Sequence, residues 1–330
     1  MSLPFQREPE SRAFKRPKQK DRWMFRAALV GVFVLAILSG CTSEAEKSLK
    51  LVNSQLPGVE EAIKGLKAHL INNRLSNANT LKSYASQLAA AKPELTELTE
   101  ALALEATPEG ALFKSLPDRL WALRLSMPKT SDDPKLVQAA ATTFREVYFA
   151  TQPEEFDRAL ADPINVLADL SDGQLPRVDS VTVDAESRLN PTTMARGTQL
   201  IGNPHYGEWR SDSSGRSFWS WYIQYSLMRQ LLGGNDYYYS SWATGRRYSY
   251  YHDYGRGHYT SPKQRSQAKS TETRARQKFA QTGKAFQSPY DRRRSGASRR
   301  VTQAKKSFRA PSASTRTRSS MSSRSSSRGK

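Results

Sequence analysis

The chain has a single cysteine in 330 residues, Cys41, and four histidines. One thiol excludes an internal disulfide framework and any cysteine-built zinc cluster. The sequence also has no HxxxH pair, no G-x-S-x-G elbow, no P-loop and no dinucleotide glycine fingerprint. The usual sequence grounds for a metalloenzyme, a hydrolase, an NTPase or a dehydrogenase are therefore missing. Apolar runs are scarce: mean hydropathy is −0.68, and the stretch Ala27 to Leu38 (AALVGVFVLAIL) reaches only 12 residues. A bilayer-spanning helix needs roughly 20. Acidic residues are nearly absent from one region, since residues 261–330 hold 20 Lys and Arg against Glu272 and Asp291.

The short apolar run is preceded by a basic segment: residues 1–26 carry eight Lys and Arg against three acids. Basic segment and uncharged core together have the form of an export signal. Leu38-Ser39-Gly40-Cys41 follows at once, and this tetrapeptide resembles the lipobox of bacterial lipoprotein precursors. The resemblance covers residues 1–41. It implies a signal peptide over 1–40, cleavage between Gly40 and Cys41, and a diacylglyceryl thioether on the Cys41 sulfur, with acylation of the new amine. Each acyl CH₂ buried in a bilayer contributes about 0.8 kcal/mol, so two or three chains make a lasting membrane anchor. A plain uncleaved signal anchor with a free Cys41 is the alternative. In the resembled family an aspartate after the cysteine favours inner-membrane retention; Thr42 stands here, which points to the periplasmic face of the outer membrane.

Charge divides the rest. The formal net charge of +20 resides in the tail, at +18, and in the leader, at +5, which leaves residues 41–260 at −3. A near-neutral body can be globular. The Arg/Ser-rich segment 261–330 has too few aliphatics to offset its ordering entropy and is expected to be disordered. Residues 41–172 read as a helical domain. Val59, Ile63, Leu66 and Leu70 step at helical spacing, as do Leu81, Ala85 and Leu88, and Leu95, Leu98 and Leu102 follow Pro93. Pro57-Gly58 marks a helix start or kink. Asp133-Pro134 signals an N-cap and first turn ahead of Leu136, Ala140, Phe144 and Val147, and Pro153-Glu154-Glu155 repeats the signal. About five helices in a bundle are expected. Residues 173–200, with Gly173, Pro176 and Asn190-Pro191, read as a linker with one short strand at Val178 to Val183.

Residues 201–260 hold 16 of the 32 aromatic residues. Ser217 to Leu232 reads as a buried helix stopped by Gly233-Gly234. The segment resembles uncharacterised bacterial lipoproteins, a likeness that carries no function. Its tyrosines can pack on the bundle, form a sticky surface for glycan or protein, or sit at a membrane interface. Trp209, Trp219, Trp221, Trp242, Tyr250 and Tyr251 are the candidate binding surface. His205, His252, Asp253 and His258 could supply metal ligands, but their spacing matches no metal motif. Ser266-Gln267-Ala268-Lys269 has the S-x-x-K form without its partner motifs.

The expected fold is mainly α: a helical bundle, a small Tyr/Trp-rich module over 201–260 and a disordered basic tail. The expected role is that of a lipid-anchored envelope protein, non-enzymatic and without cofactor or metal. Cys41 would hold membrane lipid and the tail would attract anionic envelope polymers or headgroups; a protein partner is also possible, and nucleic acid is not expected. Glycan binding to peptidoglycan, or wall modification, is the alternative.

Overall fold

The computed structural model describes residues 43–178, 197–246, 248–283 and 285–290. The signal segment, Cys41, most of the 173–200 linker and residues 291–330 lie outside the described residues. The fold is mainly helical with a small three-stranded sheet. Among the described residues no helix is long and apolar enough to cross a membrane.

The described chain divides into two units. The smaller comprises residues 43–57 and 123–144, with Leu49, Val52, Leu56, Leu123, Val137, Ala140, Ala141 and Phe144 buried. The larger comprises the rest. Helix α1 (Glu44–Ile71) runs uninterrupted through Pro57, so Pro57-Gly58 is neither its start nor its end. Pro57 is exposed, and water can meet the carbonyl that the missing N–H leaves free. Helix α2 (Ser76–Ala91) buries Ala78, Leu81, Ala85 and Leu88, as its spacing requires. Helices α3 (Thr96–Ala103), α4 (Ala111–Ser126), α5 (Pro134–Ala150), α6 (Pro153–Ala159) and α7 (Ala161–Leu170) follow. The Asp133 carboxylate accepts the N–H groups of Lys135 and Leu136, confirming the cap. Leu136 itself is exposed, however, and Val137 takes its place in the apolar seam. Helix α7 is buried on all faces, with Ile164, Val166 and Leu167 inaccessible to solvent, and packs on α2.

Past the linker, strands β1 (Gly207–Ser211), β2 (Ser217–Trp221) and β3 (Tyr237–Tyr238) form an antiparallel sheet in the order β1-β2-β3, with Trp209 opposite Trp219. The expected helix over Ser217 to Leu232 is therefore a correction: only α8 (Leu227–Leu231) is helical, after a 3₁₀ turn at Ile223–Tyr225. Aromatic side chains fit a pleated surface, and Ser213-Ser214-Gly215, with Gly215 at φ 69°, turns the chain into a hairpin. Then come α9 (Tyr239–Gly245), a π-helical turn at Tyr251–Gly255, α10 (Arg256–Tyr259) and α11 (Pro262–Gln281).

Helix α11 is the second correction, since residues 262–281 were expected to be disordered. Ser261 and Gln264 form a reciprocal capping box, with Pro262 in the first turn. The helix is tied down by Arg265 on both oxygens of Glu146 at 2.7 Å, by Lys278 on the Ser214 carbonyl at 2.6 Å, and by the buried Thr271.

The aromatic segment divides between the core of the helical domain and a small core of its own. Tyr206, Tyr225, Tyr250, Tyr251 and Tyr259 enter the same apolar cluster as Leu81, Leu98, Phe156 and Leu167. A second cluster joins Ile201, Trp219, Tyr239 and Trp242, with Trp209, Ala275 of α11 and Tyr290 against it.

Candidate binding cleft

Three carboxylates fix the long-range geometry by accepting backbone N–H groups at helix starts, where the positive end of the dipole favours them. Asp157 takes Asn77 and Ala78 at 2.8 and 3.2 Å. Glu105 takes Ala111 and Leu112, and the Tyr225 hydroxyl donates to it at 2.9 Å. Asp162 takes Tyr250 and Tyr251 at 2.7 and 2.9 Å, which pins the start of the π turn to the buried helix α7. Burial raises the Glu105 carboxyl above its ordinary value against these hydrogen bonds.

A cleft of about 570 Å³ opens between the sheet and α11. One wall is aromatic, from Trp209, Trp219 and Tyr222. The other is the face of α11 that presents Gln264, Gln267, Ala268, Thr271 and Arg274 at helical spacing. Lys263 and Ser270 flank that face, and Arg256 and Tyr290 also line the cleft. Backbone glycine makes the aromatic wall possible: a Cβ on Gly207 would lie 2.3 Å from the Ser220 carbonyl oxygen and 2.9 Å from the Trp219 ring.

Trp209 is half-buried, held edge-on by Trp219 at 5.1 Å and Tyr239 at 4.9 Å between ring centroids and tilted against Trp242 at 5.3 Å. Trp219 is buried, and its indole N–H has no hydrogen-bond partner among the described residues. The Arg256 guanidinium sits 3.4 Å over the Tyr290 ring. The one carboxylate in the lining, Glu208, is paired with Arg210 at 2.7 Å. Arg256, Lys263 and Arg274 thus give the cleft a positive field.

The structure divides the six aromatic residues proposed as a binding surface. Trp219, Trp242, Tyr250 and Tyr251 are buried and cannot offer open ring faces; Trp209 and Trp221 are half-buried. Only Trp209, Trp219 and Tyr251 of the six line the cleft, and the exposed Tyr222 was missed. So were the α11 residues, for which Ser261-Pro262 followed by Gln264 was the available signal.

The histidines do not converge. His205 Nε2 bonds the Tyr259 carbonyl at 3.0 Å, His252 Nε2 bonds that of Ile201 at 2.8 Å, and His258 stacks on Phe149. Asp253 accepts both terminal nitrogens of the buried Arg246. Among the described residues no three His, Cys, Asp or Glu side chains cluster as metal ligands. Burial, with Arg119 adding to it, depresses His205 to about 4, and burial with Arg246 nearby depresses His252 to about 3. Arg119, itself buried, donates to the His258 carbonyl and faces Glu146 at 3.7 Å.

No protein-family model matches this chain, and no curated protein or solved structure matches it.

Proposed function

We propose that this chain is a lipid-anchored protein of the bacterial envelope, held at Cys41 and acting by binding rather than catalysis. Its partners are anionic envelope polymers or headgroups, drawn by the positive charge of its C-terminal region. The observation that supports this reading is α11. It carries Lys263, Arg265, Lys269, Arg274, Arg276 and Lys278 against one acid, Glu272, on a helix docked to the aromatic module. Arg265 and Arg276 are engaged in ion pairs with Glu146 and Glu272. Lys263, Lys269 and Arg274 have no ion-pair partner among the described residues. Near an anionic surface such residues contribute about 1 kcal/mol each before screening.

Glycan binding is the second reading, favoured by the cleft's combination of aromatic, amide, hydroxyl and guanidinium groups. The general reading is tested with the full mature chain carrying Cys41→Ser, sedimented with vesicles containing anionic lipid and with purified peptidoglycan over a salt series. Binding that weakens steeply with salt, and weakens again in Lys263→Gln/Lys269→Gln/Arg274→Gln, is the expected result. Salt-independent binding, or none, would remove the electrostatic basis of the proposal.

A further inference from the structure

We infer that the cleft between β1 and α11 is a binding site for an acidic sugar, a pyranose bearing a carboxylate. The inference deepens the envelope reading, resting on it only for the source of the sugar; the chemistry of the cleft stands apart from the anchor.

A pyranose ring presents an apolar C–H face and a rim of hydroxyls. The C–H face calls for an aromatic ring of fixed orientation. Trp209 meets this, since three neighbouring rings set its angle, and Tyr222, 38% exposed and held by a 3.3 Å hydrogen bond to the Pro204 carbonyl, extends the same wall. Hydroxyl rims call for amides, hydroxyls and guanidinium groups, and Gln267, Ser270 and Arg274 supply them from the facing helix.

The acid group follows from charge. The lining carries Arg256, Lys263 and Arg274, and its single carboxylate already has Arg210. A neutral sugar would leave that field unused, and an apolar ligand would strand the polar wall opposite the aromatics. Divalent metal is disfavoured in this lining, which has no histidine and one engaged carboxylate. About 570 Å³ lies within the range of small-molecule sites and holds one or two sugar units.

The test uses the full mature chain with Cys41→Ser, read by intrinsic tryptophan fluorescence and calorimetry. The probes are N-acetylmuramic acid, its neutral counterpart N-acetylglucosamine, and AMP as a stacking anion of another class. The expected result is saturable binding of N-acetylmuramic acid, with N-acetylglucosamine about tenfold weaker, since losing one charge-assisted contact is worth that much. Lys263→Gln/Arg274→Gln should weaken binding about tenfold, and Tyr222→Ala about fivefold, while Tyr222→Phe keeps it. Lys67→Gln/Arg276→Gln removes the same charge from residues outside the cleft lining and should leave binding unchanged.

Equal losses in the two charge pairs would show a diffuse basic surface and overturn the site. Binding of AMP as tight as that of the acidic sugar would overturn the ligand class. Absence of saturable sugar binding, with salt-sensitive vesicle binding intact, would overturn the cleft proposal alone and leave the envelope reading standing.

Discussion

Lowering the pH from neutral should destabilise this protein through His205 and His252. Burial holds both below the ordinary histidine value of 6.5, at about 4 and about 3 respectively. Arg119 stands near the first; Arg246, Arg256 and Asp253 stand near the second. Below 6.5 the unfolded chain takes up a proton at each ring that the native chain refuses until these lower values. Stability from these groups is therefore full above pH 6.5 and is lost as pH falls through the window below it. Linkage at about 1.4 kcal/mol per pH unit makes the loss about 2 kcal/mol per histidine by about pH 5. Glu105 acts in the opposite sense: its raised carboxyl costs stability near neutrality and returns it as the pH falls. The informative quantity is hence a difference. Urea unfolding of the wild type and of His205→Gln/His252→Gln, from neutral pH down to about 5, should show a steeper loss in the wild type by about 4 kcal/mol. Parallel pH dependences in the two proteins, or histidine rings that titrate near 6.5 in the native state by NMR, would refute the reasoning.

Asp162→Ala removes the acceptor of two buried N–H groups, and thermal or urea unfolding should register about 3 kcal/mol of destabilisation or more. Gly207→Ala should cost about as much, because its Cβ meets the Ser220 backbone, whereas Gly65→Ala, inside α1 with open space around it, should stabilise by about 0.5–1 kcal/mol. Ser261→Ala should weaken the start of α11 by about 1 kcal/mol, seen as faster amide exchange at Gln264 and Arg265.

The helical half of the fold could be read from spacing because burial there follows a 3.6-residue period. Leu81, Ala85 and Leu88 are buried as expected. Position 136 failed because two adjacent apolar residues, Leu136 and Val137, compete for one seam and the period alone does not choose between them. The aromatic segment failed for a different reason. Density of Trp and Tyr says that large surfaces will be buried, but not against which element. Tyr250 and Tyr251 are drawn in by Asp162, some ninety residues earlier, a contact with no local trace.

Helix α11 is hidden by the composition of the seventy residues around it, which points to disorder. Residues 263–281 contain neither glycine nor proline and follow a capping box, a local signal that the composition of the whole segment dilutes. Half of the cleft was thereby hidden, since its polar wall is this helix.

The state of Cys41 decides whether the chain is anchored in the envelope. Intact-mass and peptide mass spectrometry of the native protein, extracted with detergent from the cell envelope, should find a chain beginning at residue 41 with its sulfur bonded to diacylglycerol. A chain that still begins at Met1 and carries a free thiol would contradict the lipid anchor.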